Sequence, residues 1–270
     1  FEPSDLLSPA HLHSRQPMTP SRRTLIFDLD GTLIDSAPDL ARALNGLLAE
    51  LGRPPLDLGV VRRLIGDGAP TLVRRALAAS GAPLDAGSYE SLLERYRELY
   101  LATATTDTTV YPRVPETLRA LREQGYRAVV CTNKFQLPTV RILEAFDLAR
   151  YFDAVAGGDV VPARKPDPAH LLAALTKVGA GPAEAVMIGD GANDVAAARA
   201  AGIPVMLLPS GYGEIDAADL GGDVLLGDFA DIPAALGRMD RATAGSPADR
   251  DAACRGRSRP PPVTGREPSR

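Results

Sequence analysis

Apolar residues fall along this chain in two rhythms. Leu25-Ile26-Phe27 is a short continuous run, as in a strand buried on both faces. Leu40, Leu44, Leu47, Leu48 and Leu51 then recur at helical spacing. Ser36 is placed to cap that helix, Pro38 is tolerated in its first turn, and Asp39 holds the capping-box position. Gly52 and Pro54-Pro55 end it. Further helices are expected near Leu58–Ile65, Pro70–Ser80 and Ser88–Ala102, with no strand between Asp35 and Thr109. Strand-helix alternation resumes at Tyr111. Strands are expected over Tyr126–Cys131, Phe152–Val155, Ala185–Ile188, Val205–Leu208 and Val224–Leu226. Helices are expected over Glu116–Glu123, Leu137–Ala145, from Pro168 to Lys177, and over Val195–Ala201. Right-handed crossovers make this an α/β fold, a doubly wound parallel sheet.

The expected organisation is an α/β core from residues 21–36 and 110–238, with a helical unit over 37–109 inserted after the first strand. Residues 1–20 and 239–270 lack periodicity and are rich in Pro, Ser or Arg, so both are expected to be disordered. Met18 is the expected natural start, with the residues before it an upstream extension.

Composition narrows the function classes. The 270-residue chain is 45% hydrophobic, enough for a full core, and its formal charge of −4 gives no long-range pull toward nucleic acid or anionic membrane. No apolar run approaches a membrane span, and no secretory apolar segment opens the chain. A cytoplasmic location is therefore expected. Cys131 and Cys254 give no disulfide framework. The only lysines are Lys134, Lys165 and Lys177, which makes the position of each informative.

The polar residues that matter stand at strand ends. Asp28 and Asp30 follow the first strand at alternate positions, with Gly31-Thr32 next. Open α/β sheets bind ligands at that edge. The physical reading is a carboxylate nucleophile, a second carboxylate for proton transfer, and a small phosphate nest; acidic turn residues are the plainer explanation. Thr132 and Asn133 follow the second core strand, Lys165 lies in a loop before a helix, and Asp190 and Asp194 follow a later strand.

In this order DLDGT (28–32), Thr132, Lys165 and GDGAND (189–194) resemble the four motifs of the haloacid dehalogenase superfamily, over roughly Arg23 to Leu236. The resemblance implies a Mg²⁺-dependent phosphotransferase acting on a small phosphorylated metabolite. It implies that Asp28 attacks phosphorus and that Asp30 protonates the leaving alcohol and then activates water. Thr132, Asn133 and Lys165 would hold the phosphate. Asp28, the Asp30 carbonyl and Asp190 would bind the metal, with Asp194 in an outer position or acting through water. An oxygen-only site of this kind suits Mg²⁺.

The insert resembles the superfamily's C1 cap, expected to close over the site and set specificity. Its Ile65-Gly66-Asp67-Gly68-Ala69 loop is either a specificity loop or an ordinary helix–helix turn. FDLDGTLIDSAPDL, IGDGA, CTNK, GGDVVPARKPDP and SGYGE together resemble the phosphoglycolate phosphatases. Two departures stand out: Arg113 occupies a position where glycine is expected, and Gly191-Ala192 replace bulkier residues. Arg62, Arg63, Arg74 and Arg75 are candidates to read a substrate carboxylate, none of them assigned. A pyrophosphatase, an amino-sugar-phosphate phosphatase, a broad phosphomonoesterase, a β-phosphoglucomutase-like isomerase and a receiver-type signalling domain remain alternatives.

Overall fold

The computed structural model describes residues 24–81, 88–213 and 215–244. The N-terminal extension with Met18, Glu214 of the SGYGE stretch, and the tail with Cys254 lie outside the described residues. Six parallel strands form the central sheet: β1 (Thr24–Phe27), β4 (Arg127–Cys131), β5 (Ala154–Ala156), β6 (Ala185–Gly189), β7 (Val205–Leu207) and β8 (Val224–Leu225). Across the sheet they lie in the order β5-β4-β1-β6-β7-β8. β1 is central, pairing Ile26 with Val129 of β4 on one side and with Met187 of β6 on the other.

Both faces of the sheet are covered, which is why its strands read as unbroken apolar runs. Leu25, Phe27, Val130, Val186 and Ile188 face one core. Ile26, Val129, Cys131, Ala185 and Met187 face the other. Burying a side chain as large as Phe27 fully contributes about 1.5–3 kcal/mol, and Phe27 also stacks on Phe229 at 5.8 Å between ring centroids. The second face is closed by α7 (Pro168–Thr176) and α8 (Ala192–Ala200). The first is closed by α5 (Val114–Glu123), α6 (Gln136–Ala145) and α9 (Ile232–Ala244), and by the helices that follow β1.

Those helices are α1 (Ala37–Glu50), α2 (Leu58–Leu64), α3 (Ala69–Ala79) and α4 (Tyr89–Thr103). Their apolar faces are continuous with the sheet's first core. Where they enter and leave, β2 (Ile34–Asp35) pairs antiparallel with β3 (Thr109–Val110). This two-stranded ribbon is absent from the sequence reading, because two residues are too few to show a period.

Three local expectations are corrected. Ser36 precedes α1 but makes no side-chain cap bond; its hydroxyl donates instead to Asp30 Oδ1 at 2.5 Å. Asp39 closes no capping box. It is fully buried and accepts from the Asp107 N–H (3.0 Å), the Thr108 N–H (2.8 Å) and the Thr108 hydroxyl (2.7 Å), tying α1 to the returning strand. Residues 239–244 are helical rather than tail, because Ile232, Ala235 and Leu236 are buried and Met239 packs on the same core one turn on. Arg113, where glycine was expected, has left-handed backbone (φ 68°) immediately before α5.

Candidate active site at the carboxyl edge of the sheet

β1, β4 and β6 end side by side. The ladder continues one residue further: the Asp28 N–H donates to the Ile188 carbonyl (3.0 Å) and the Thr132 N–H to the Ala156 carbonyl (3.1 Å). Asp28, Thr132 and Asp190 therefore emerge along one edge. α8 begins at Ala192, earlier than its apolar pattern suggests, so Asp194 stands in the helix's first turn rather than in a loop.

Asp28, Asp190 and Asp194 each offer a carboxylate oxygen, and these oxygens lie within 4.8 Å of one another. Lys165 Nζ sits among them, 3.0 Å from Asp28 Oδ1 and 2.7 Å from Asp194 Oδ1, with only 1% of its side chain exposed. Lys165 is itself held by His170. The Lys165 N–H donates to His170 Nδ1 (3.3 Å), while His170 Nε2 lies 3.1 Å from the Ala156 carbonyl. A neutral ring protonated at Nε2 satisfies both contacts. Burial, and then the charge of Lys165, push the His170 pKa down to about 4. The sequence reading missed His170; its spacing of five residues from Lys165 was the available signal.

Each carboxylate has its own anchorage. Asp194 Oδ2 accepts from the Asp190 and Gly191 N–H groups, both at 3.1 Å, so both oxygens of Asp194 are engaged. Asp190 Oδ1 accepts from the Thr32 hydroxyl (2.5 Å), and its Oδ2 accepts from the Tyr212 N–H (3.3 Å). Gly31 (φ +89°) passes so close that an added Cβ would collide with the Asp190 carboxylate. Asp28 Oδ1 accepts from the Leu29 N–H at 2.7 Å. Burial pushes the Asp28 pKa up to about 6: Lys165 opposes the shift, while Asp194 and Asp30 add to it. Asp190 is pushed well above the usual carboxylate range, first by burial and then by Asp194 and Asp28.

One ammonium thus faces three carboxylates, and the set is left with a net negative charge. A hard divalent cation fits this site, because the donors are all oxygen and the missing charge is positive.

Asp30 looks toward a different cation. Lys134 Nζ lies 2.8 Å from its Oδ1 and 2.9 Å from its Oδ2, and the Lys134 side chain is 5% exposed. Lys134, the last residue of CTNK, is not among the site residues expected from the motifs. Thr132 is buried, and its hydroxyl accepts from the Lys134 N–H at 3.2 Å. Asn133 Nδ2 donates to the Lys165 carbonyl (2.9 Å) and to the Gly66 carbonyl (3.0 Å). Asn193 Nδ2 also donates, to Asp67 Oδ1 (2.7 Å). The Ile65–Ala69 loop is therefore fastened directly to the strand edge.

A model of haloacid dehalogenase-like hydrolases matches residues 22–202. The chain belongs to the haloacid dehalogenase-like hydrolase family. A curated relative named phosphoglycolate phosphatase, from Caulobacter vibrioides, is 45% identical over 212 residues, covering 78% of this hydrolase and 90% of the relative. One of the same name from Rhodospirillum rubrum is 42% identical over 219 residues, covering 80% of this hydrolase and 91% of the relative. The solved structure of a predicted phosphoglycolate phosphatase from Haemophilus somnus superposes with a TM-score of 0.76 at 34% identity, covering 81% of this hydrolase and 99% of that chain. Among the described residues, no helix of this hydrolase is long and apolar enough to cross a membrane.

The four arginine candidates are placed as follows. Arg62 pairs with Asp35 (2.6 Å) and lies over the Tyr212 ring, and Arg75 pairs with Asp67 (2.6 Å). Arg74 lies over Tyr89. Arg63 donates to the Gly59 carbonyl and lines the open cleft beside Asp190. Tyr212, missed in the sequence reading, donates to Asp35 Oδ1 (2.7 Å) and accepts from the Ser36 N–H (2.9 Å).

Proposed function

We propose that this hydrolase is a Mg²⁺-dependent phosphomonoester phosphatase that converts 2-phosphoglycolate to glycolate and phosphate. The observation that carries the chemistry is the Asp28-Asp190-Asp194 cluster with Lys165 among it, beside a second carboxylate, Asp30, held by a separate cation. The substrate rests on the relatives, which carry the name phosphoglycolate phosphatase at 38–45% identity over most of their length.

Asp28 is the nucleophile. Asp28 Oδ attacks phosphorus, the phosphorus–oxygen bond to the alcohol breaks, and an aspartyl phosphate forms. Asp30 gives its proton to the departing alkoxide, then takes one from the water that releases phosphate. Lys165 and the Thr132 hydroxyl hold the phosphate oxygens, and the backbone around Asn133 borders them. Asp28, Asp190 and the Asp30 carbonyl are the residues that would hold Mg²⁺, with Asp194 orienting from behind. When bound, the cation supplies the positive charge that offsets repulsion between the Asp28 carboxylate and the phosphate dianion. At ~4 Å and an effective dielectric of ~20, each unit of that repulsion is about 4 kcal/mol. Helices α1–α4 form the cap over this edge, with the Ile65–Ala69 loop as one of its points of contact.

The test is phosphate release with Mg²⁺ from 2-phosphoglycolate, pyrophosphate, hexose phosphates, amino-sugar phosphates and a nucleotide. The expected result is a kcat/KM for phosphoglycolate at least ten times the next best. Equal, slow rates on every compound would keep the chemistry and remove the named substrate.

A further inference from the structure

Beside Asp28 and Asp30 lies a second, narrower cavity of about 70 Å³, between α4 and the segment that follows β4. At the ~30 Å³ a water takes in the liquid, that is room for about two waters, the bulk of one carboxylate group. Its wall includes Leu40, Leu72, Tyr96, Tyr100 and Lys134. Two observations about this wall have no structural explanation. Tyr96 and Tyr100 are 1% and 4% exposed, and neither hydroxyl has a hydrogen-bond partner among the described residues. A buried hydroxyl without a partner costs about 1–3 kcal/mol, and here two neighbours on one helix bear that cost together.

We infer that Tyr96, Tyr100 and Lys134 form the subsite for the substrate's carboxylate, an inference that rests on the phosphoglycolate reading. The two rings stack with centroids 6.1 Å apart and planes 6° from parallel. Lys134 Nζ lies 4.7 Å from the Tyr100 ring centroid. An ammonium has three donors. Two point at Asp30 Oδ1 and Oδ2, and one is left for a second anion.

The charges sort the substrate's two ends. Lys165 and the carboxylate cluster lie toward β6. Of the two cations on this wall, Lys134 is the buried one, while the Arg97 side chain is 36% exposed, lies over the Phe135 ring and pairs with Glu94 and Asp159. A carboxylate entering here meets one ammonium among apolar side chains, where a charge-assisted bond is stronger than in water, and would give the two unpartnered hydroxyls an acceptor. A sugar monophosphate brings no second anion to Lys134. An alcohol of the same length leaves Lys134 without its second anion. The four arginines considered from sequence do not line this cavity.

Binding of two non-hydrolysable probes tests this without turnover. In 3-phosphonopropionate a methylene replaces the ester oxygen of phosphoglycolate, and in 3-hydroxypropylphosphonate an alcohol also replaces the carboxylate. Their Kd values are measured by calorimetry with Mg²⁺ on the full chain, for the wild type, Lys134→Met, Tyr96→Phe and Tyr100→Phe. The wild type is expected to bind the carboxylate probe about 100-fold more tightly than the alcohol. Lys134→Met should bring that ratio to within about threefold, and each Tyr→Phe should lower it about tenfold while keeping the ring packing. A wild-type ratio near one overturns the phosphoglycolate reading itself. A large wild-type ratio that survives all three substitutions overturns the subsite alone. Because only the ratio is read, a general loss of phosphonate affinity in one variant does not mimic either result.

Discussion

Lys165→Met separates the electrostatics of the site from its chemistry. The lysine ammonium is 3.0 Å from Asp28 and 2.7 Å from Asp194. At an effective dielectric of ~20 each pairing is worth about 6 kcal/mol, much of it offset by the desolvation of a buried ammonium. Removing one partner of such a buried set leaves uncompensated charge and costs about 3–5 kcal/mol. The cost should depend on pH in a definite direction. With Lys165 present, Asp28 already titrates at about 6, above its ordinary value. A carboxyl whose folded pKa is raised favours the folded state below that pKa and opposes it as pH rises through it. Without Lys165 the window moves higher, so protons replace the missing charge as the pH falls from 8 to 6. Urea unfolding without divalent cations should show the loss of about 3–5 kcal/mol at pH 8 and a clearly smaller loss at pH 6. Millimolar Mg²⁺ at pH 8 should also shrink it. A loss under about 1 kcal/mol, or one equal at both pH values, would refute this account of the cluster.

Asp39→Ala removes the acceptor for two backbone N–H groups and a hydroxyl; urea unfolding should show a loss of about 3 kcal/mol. His170, with its pKa pushed down to about 4, contributes stability that is present above its ordinary pKa of about 6.5 and is lost as pH falls toward 4. The wild type minus His170→Gln difference in unfolding free energy should therefore fall by roughly 1.5 kcal/mol between pH 6.5 and 5. Arg113→Gly relieves a left-handed residue at φ 68°, offset by extra freedom in the unfolded chain, and should raise stability by roughly 0.5–1 kcal/mol in thermal unfolding.

The parallel sheet was legible because its strands are apolar on both faces and end in polar residues of unusual kind. Asp28, Thr132 and Asp190 follow three neighbouring strands, so strand order alone brings them together. Lys165 was legible because lysine is scarce. The residues missed act through contacts that no period encodes. Lys134 looked like one more residue of a strand-end loop, yet it crosses to Asp30, 104 positions earlier. Tyr212 reaches Asp35 over 177 positions. Ser36 and Asp39 carried a local helix-cap pattern, and tertiary partners took both side chains instead. The helix running to Ala244 was hidden by its Arg- and Ala-rich composition, although Ile232, Ala235, Leu236 and Met239 keep helical spacing.

The claim at the centre of the account is that Asp28 carries the phosphoryl group. Acid quench during turnover of 2-phosphoglycolate with Mg²⁺, then borohydride reduction and peptide mass spectrometry, reads this directly. An acyl phosphate at residue 28 would be reduced to homoserine at that position, and Asp28→Asn should show neither the modification nor turnover. Homoserine at Asp30 or Asp190, or full turnover by Asp28→Asn, would contradict it.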